Sequence, residues 1–230
     1  PAGGARAWQA AHHFPGKIAT LIVPADCAWS ETDKTGKILN SVGPSEIDDD
    51  VLGEAYKALT DKSNSMLFLG GEFLDEQSVN MAAKIATKTG ARLATETFRK
   101  RQRRGFGIPV VEPLPYFSEM AEDFLKGVES IVFVGSKPPV SFFAYPNKKS
   151  YLSPDKSKLI KLASFKQDGK KALESLCEML EAKETSEEFL PSSATKAPLT
   201  GELNPANLGL LIGELLPEEA IVSDEAATSG

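Results

Sequence analysis

Apolar residues in this chain fall into short uninterrupted runs separated by amphipathic stretches. The clearest alternation lies between residues 65 and 98. Ser65-Met-Leu-Phe-Leu69 is an apolar run that stops at Gly70-Gly71. Beyond Asp75, the apolar positions Val79, Ala82, Ala83, Ile85 and Ala86 recur at helical spacing, with Lys84 and Lys88 away from them. Gly90 ends that pattern, and a second apolar run leads to Glu96, Thr97 and Phe98. The spacing predicts a strand, a turn, a helix and a second strand. A parallel crossover of this kind implies a sheet covered on both faces. Ligands of such sheets bind at the carboxyl ends of the strands, where Gly70-Gly71 and Glu96-Thr97 fall.

Residues 5–13 are alanine-rich and predict a short helix, followed by a turn at Phe14-Pro15-Gly16. The β-branched and aliphatic run at 18–23 predicts a strand broken by Pro24, with a loop at 26–29. Residues 31–44 are polar, carry Gly36, Gly43 and Pro44, and read as a linker. Ser45 is a candidate N-cap, with Glu46, Asp48, Asp49 and Asp50 behind it; Leu52, Ala55, Tyr56 and Leu59 continue as a helix to Lys62. After the central unit come a helix over 116–126, a strand over 130–134 ending at Gly135, and a long loop over 136–151. A strand over 158–162 and a helix over 168–182 follow. Residues 183–198 read as a second linker. Asn204 caps a helix that runs to Leu216, and residues 220–224 predict one more strand. The layout is a piece, a linker, a whole middle domain over 45–182, a linker, and another piece over 199–230. The chain reads as a segment of a longer protein.

Charge and composition narrow the function classes. Hydrophobic residues make up 41% of the 230, enough to bury a core. A net charge of −6 argues against nucleic acid as the partner. No apolar run approaches the roughly 18 residues a membrane helix needs, so no membrane role is expected. Two cysteines far apart, Cys27 and Cys177, make neither a disulfide framework nor a zinc site, and a reducing cytoplasm is the expected compartment.

The candidate chemistry is sparse. Gly70-Gly71 offers close backbone approach for a phosphate, or simply a tight strand-to-helix turn. The basic run Arg99-Lys-Arg-Gln-Arg-Arg104 suits phosphates or carboxylates, or a solvated loop or interface. His12 and His13 lack acidic partners at ligand spacing and read as helix-end residues. Cys177 lies on an apolar helix face and reads as core. Phe142, Phe143 and Tyr145 suit a pocket floor or a packing surface. No catalytic triad order, H-E-x-x-H, P-loop or paired catalytic carboxylates are present. Neither catalytic residues nor metal ligands are expected.

Three stretches together resemble one family. Pro15-Gly16 with the run from Ala19 to Asp26 resembles the close of the pyrimidine-binding domain of thiamine-diphosphate-dependent enzymes. Leu69-Gly70-Gly71, Thr89-Gly90-Ala-Arg92, Thr97-Phe98 and Val134-Gly135-Ser136-Lys137 resemble their central domain. Leu216-Pro217 through Val222, and Asp224-Glu225 through Gly230, resemble the start of the diphosphate-binding domain. The order is that of the family, and the acetolactate-synthase-like large subunits are the branch it resembles. The resemblance implies an α/β fold: a Rossmann-like, mainly parallel sheet over 45–182 with helices on both faces. It assigns 1–30 to the pyrimidine-binding domain and 199–230 to the diphosphate-binding domain.

The parent enzymes bind thiamine diphosphate and magnesium, form or cleave carbon–carbon bonds next to a carbonyl, and assemble as dimers or tetramers. Their activating glutamate and Gly-Asp-Gly magnesium motif match nothing in this sequence, so the segment is expected to be inactive alone. Thr228 and Ser229 align with residues that contact the cofactor diphosphate. Gly70, Gly71, Thr97, Gly135, Ser136 and Lys137 align with an FAD or ADP pocket of the central domain. Against the FAD-binding relatives, the chain has Gly135-Ser136-Lys137 in place of Gly-Ala-Arg. It also lacks an acid after the strand that ends Leu162-Ala163-Ser164. A mainly structural domain is therefore expected; the alternative is a stand-alone FAD- or ADP-binding module. An interaction scaffold using the basic and aromatic loops is a third reading.

Overall fold

The computed structural model describes residues 1–61, 64–191 and 201–225. It divides into two units, Pro1–Leu190 and Pro191–Gly230. The helices of the first unit are α1 (Ala2–His12), α2 (Ala25–Trp29), α3 (Asp49–Thr60), α4 (Glu76–Thr89), α5 (Ser118–Phe124) and α6 (Gly169–Leu180). Its strands are β1 (Ser65–Leu69), β2 (Arg92–Thr95), β3 (Glu112–Pro113), β4 (Ser130–Val134) and β5 (Lys158–Ala163).

The five strands form one all-parallel sheet in the order β3-β2-β1-β4-β5. Every residue of β1 and β4 is buried, as central strands covered on both faces require. Alternation divides their side chains between two cores. Leu67, Leu69, Leu93, Val132, Val134, Ile160 and Leu162 face a layer built from α3, α4 and α6. Met66, Phe68, Ala94, Ile131 and Phe133 face the other way, against Leu114, Leu152 and the apolar side of α5. The fold is the expected one, with helices on both faces.

Local signals explain the element ends. Asp75 caps α4 by accepting the Ser78 N–H, and Gly90 closes it in the left-handed conformation. Asp48, not Ser45, caps α3 through the Asp50 N–H. Ser45 instead bridges to Gln167, exchanging backbone hydrogen bonds with Lys166 and Asp168. The helix expected over 116–126 is the shorter α5. Within the second expected linker, Ser186 starts a turn of 3-10 helix at Glu187–Phe189. That turn is tied down by Val110 N–H to the Phe189 carbonyl and by Ser186 N–H to Thr87 Oγ1.

Two expected strands do not form. Residues 18–23 form no strand, and Ile18 is 99% exposed. Residues 220–224 in the second unit are likewise unpaired, with Ile221 93% exposed. An apolar β-prone run becomes a strand only beside another strand. The loop expected at 26–29 is the short helix α2, started after Pro24. In the second unit, α7 (Pro205–Leu215) carries a reciprocal cap in which the Asn204 and Asn207 side chains accept each other's backbone N–H. No helix among the described residues is long and apolar enough to cross a membrane.

Candidate functional site

The strand order reverses direction between β1 and β4, so their carboxyl ends frame the crevice where ligands of such sheets bind. The sequence places glycine at both ends. Gly70 and Gly71 leave β1, and Gly135 leaves β4. The chains approach closely here. A Cβ on Gly70 would meet Ser136 Cβ at 2.8 Å and the Glu96 carboxylate carbon at 3.0 Å. One on Gly71, where φ is +58°, would meet the Gly135 carbonyl at 3.1 Å. Of the expected site residues, Gly70, Gly71, Gly135 and Ser136 are thus brought together. Thr97 is half-buried in the bend after β2, Lys137 is exposed, and Thr228 and Ser229 lie outside the described residues.

The polar groups of the crevice are paired within the protein. Gly70 N–H donates to the Val134 carbonyl at 3.0 Å, and Gly135 N–H to the Ala163 carbonyl at 2.8 Å. The Ser136 hydroxyl donates to the Phe68 carbonyl at 3.1 Å. Gly71 N–H donates to Glu96 Oε1 at 3.1 Å. The space beside Gly135 and Gly169 is filled by Phe73, whose ring is almost wholly buried. A Cβ on Gly135 would lie 2.3 Å from Phe73 Cδ2, and one on Gly169, at the start of α6, 2.6 Å from Phe73 Cζ.

The turn carrying Phe73 is held from two sides. Part of the basic run supplies one side: Lys100 pairs with Glu72, Arg103 Nε lies 4.0 Å from Glu76, and Arg103 N–H donates to the Leu74 carbonyl at 3.1 Å. On the other side Lys170 of α6 lies 3.0 Å from Asp75. Burial alone would raise the Asp75 carboxyl, but the Ser78 hydroxyl, the Lys170 ammonium and the Ser78 amide outweigh it. Asp75 therefore ionises below the ordinary aspartate range.

Beside the crevice, six exposed rings meet from three loops. Tyr116 stacks on Phe142 with centroids 5.3 Å apart and planes at 17°. Phe98 contacts both, Phe117 lies edge-on to Tyr116, and Phe143 links Tyr116 to Tyr145. Lys148 follows on the same loop and pairs with Glu119, whose carboxyl is held down at about 2 chiefly by that hydrogen bond. The other candidates are dispersed. His12 stacks on Trp8 within α1 and its ring nitrogen reaches the Trp8 carbonyl at 2.9 Å. Cys27 is exposed; the half-buried Cys177 donates to the Met81 carbonyl, and burial pushes its thiol up. Among the described residues no group of three His, Cys, Asp or Glu gathers to hold a metal. A hollow of about 300 Å³ near Tyr56, Lys88 and Leu180 lies at the opposite end of the sheet, among the helix C-termini.

Sequence reasoning placed the glycines but missed what occupies the space between them. Phe73 sits in a turn, where apolar periodicity carries no signal. Glu96 was placed at the ligand-binding end of the sheet, but its bond to Gly71 was not foreseen.

No family model matches the chain. Over 227 residues, 98% of this chain, it is 36% identical to a Mycobacterium tuberculosis protein provisionally named acetolactate synthase large subunit IlvX. It spans 43% of that protein's length. Among solved structures, a provisionally assigned thiamin diphosphate-dependent enzyme of Mycobacterium smegmatis superposes with a TM-score of 0.69 at 19% identity, over 95% of this chain and 45% of that one. Benzoylformate decarboxylase of Polynucleobacter necessarius gives 0.66 at 21% identity, over 95% of this chain and 44% of that one. At those identities the likeness speaks for the fold.

Proposed function

We propose, from the chain's place among the acetolactate-synthase-like, thiamine-diphosphate-dependent proteins, that residues 45–182 serve as the central structural domain of such an enzyme. Residues 1–30 and 199–230 belong to its two neighbouring domains. The observation that carries this reading is the similarity over 98% of the chain, a span that takes in both flanking pieces as well as the parallel sheet. The parent activity is formation or cleavage of a carbon–carbon bond next to the carbonyl of a 2-oxo acid. Thiamine diphosphate, held through magnesium, supplies the nucleophilic carbon for that chemistry. Among the described residues no three His, Cys, Asp or Glu gather to hold a metal, and Thr228 and Ser229 are not among those residues. The segment's own contribution is scaffolding. It sets the spacing of the catalytic domains in a cytoplasmic dimer or tetramer whose active sites lie between subunits.

A stand-alone nucleotide-binding module is the rival. The β3-β2-β1-β4-β5 order favours it, and the occupied crevice counts against it. A chimera tests the first reading. Residues 45–182 replace the matching segment of an active acetolactate-synthase-like enzyme, and thiamine-dependent turnover of pyruvate is measured. Turnover within about tenfold of the parent, an effect of roughly 1.4 kcal/mol on the barrier, supports the scaffold role. An assembled but inactive chimera overturns it.

A further inference from the structure

We infer that the switch-point crevice is closed to nucleotides by two of the chain's own side chains, with Glu96 as an internal anion and Phe73 as a plug. This deepens the structural-domain reading above and rests on it.

A diphosphate bound at a parallel sheet takes backbone N–H groups of the glycine turn after the first strand, at the neighbouring helix N-terminus. Here that turn is Gly70-Gly71. Its Gly70 N–H is already paired with Val134, and its Gly71 N–H is paired with a carboxylate. Glu96 therefore stands in for a phosphate oxygen: it is negatively charged, accepts the same donor, and lies within 3.1 Å of where a Gly70 side chain would begin. A nucleotide phosphate would have to displace that carboxylate or share the site with it, and two anions at such range repel.

The space is taken as well as the charge. The Phe73 ring packs onto Gly135 and Gly169, the two glycines that would otherwise leave a cradle beside the strand ends. The Ser136 hydroxyl points back to Phe68. After β5 the chain has Ser164. Its N–H is taken by Gln167 Oε1, and its hydroxyl accepts the Lys166 N–H. Three ion pairs, Lys100–Glu72, Arg103–Glu76 and Lys170–Asp75, hold the plugging turn in place. The basic run, which by sequence suits phosphates, thus spends Lys100 and Arg103 on the plug.

Equilibrium dialysis of the full chain against ADP and against FAD tests this, with the double variant Glu96→Gln/Phe73→Leu alongside. The glutamine keeps an acceptor for Gly71 N–H and drops the charge; the leucine thins the plug without emptying it. The natural chain is expected to bind neither probe saturably up to about 1 mM, and the double variant to gain ADP affinity by at least about tenfold. Saturable binding of ADP or FAD to the natural chain below about 0.1 mM overturns the inference. So does a double variant with native circular dichroism that gains nothing, because something else would then exclude the nucleotide. If the double variant does not fold, the single variants carry the test, and failure of every folded one to gain ADP binding overturns it. The chimera result is independent: nucleotide binding by the natural chain sinks this inference and leaves the scaffold role standing.

Discussion

The Phe73 ring occupies the place that a side chain on Gly135 would need, with 2.3 Å between Phe73 Cδ2 and a Cβ built on Gly135. The two residues come from different loops, yet Gly135 cannot gain a side chain while the Phe73 ring is in place. Gly135 also has φ +72°, a conformation that costs an alanine. Gly135→Ala is expected to destabilise the protein by about 2–4 kcal/mol, overpacking and backbone strain acting together. Urea unfolding monitored by circular dichroism measures it, and a loss under about 1 kcal/mol would show that the turn relaxes freely.

Acid should act on Asp75 in a defined direction. Its folded-state carboxyl ionises below the ordinary value, so the folded protein binds fewer protons there than the unfolded chain. The resulting stability is fully present above about pH 4, the unfolded aspartate value, and is lost as pH falls through the lower folded value. Asp75→Asn keeps a capping oxygen and loses the titration. Its unfolding midpoint should vary less between about pH 5 and 2 than that of the natural chain. Parallel curves would assign the dependence elsewhere.

The Tyr116–Phe142 stack should be measurable as a coupling. Each ring is partly exposed, so each alanine substitution costs only part of a buried aromatic. A double-mutant cycle with Tyr116→Ala and Phe142→Ala is expected to give about 0.5–1 kcal/mol of interaction. Additivity would mean that the six rings adjoin without supporting one another.

The two thiols should separate cleanly. Exposed Cys27 should react readily with a disulfide reagent near pH 8. Cys177, half-buried with its thiol pushed up, should react at least about tenfold more slowly until denaturant is added. Equal rates would place Cys177 at an open surface.

Thiamine diphosphate with magnesium should leave the melting temperature of the chain unchanged within about 1 °C, since stabilisation by a ligand requires a formed site. A rise of several degrees in a thermal scan would locate part of that site within these residues.

The central unit was legible because its signals are local. Gly70-Gly71 ends a strand, Asp75 and Gly90 bound α4, and the apolar positions between them fall on one face. β3 was not legible: it has two residues, one of them Pro113, and exists only because β2 lies beside it. The runs at 18–23 and 220–224 failed in the opposite sense, since their β propensity is local but a partner strand is not. The crevice followed the same division. Its glycines could be read from the sequence, whereas Glu96 reaching Gly71 across 25 residues is a product of sheet order.

The margins of the sheet bear on self-association. At one margin Pro113 has no N–H to offer a further strand, and β3 is too short to template one. At the other, Lys158 and Lys161 of β5 are exposed, which disfavours a second copy docking edge to edge. The unpaired run around Ile18 and Ile22 has no such protection, so aggregation on heating should begin there rather than at the margins of the folded sheet.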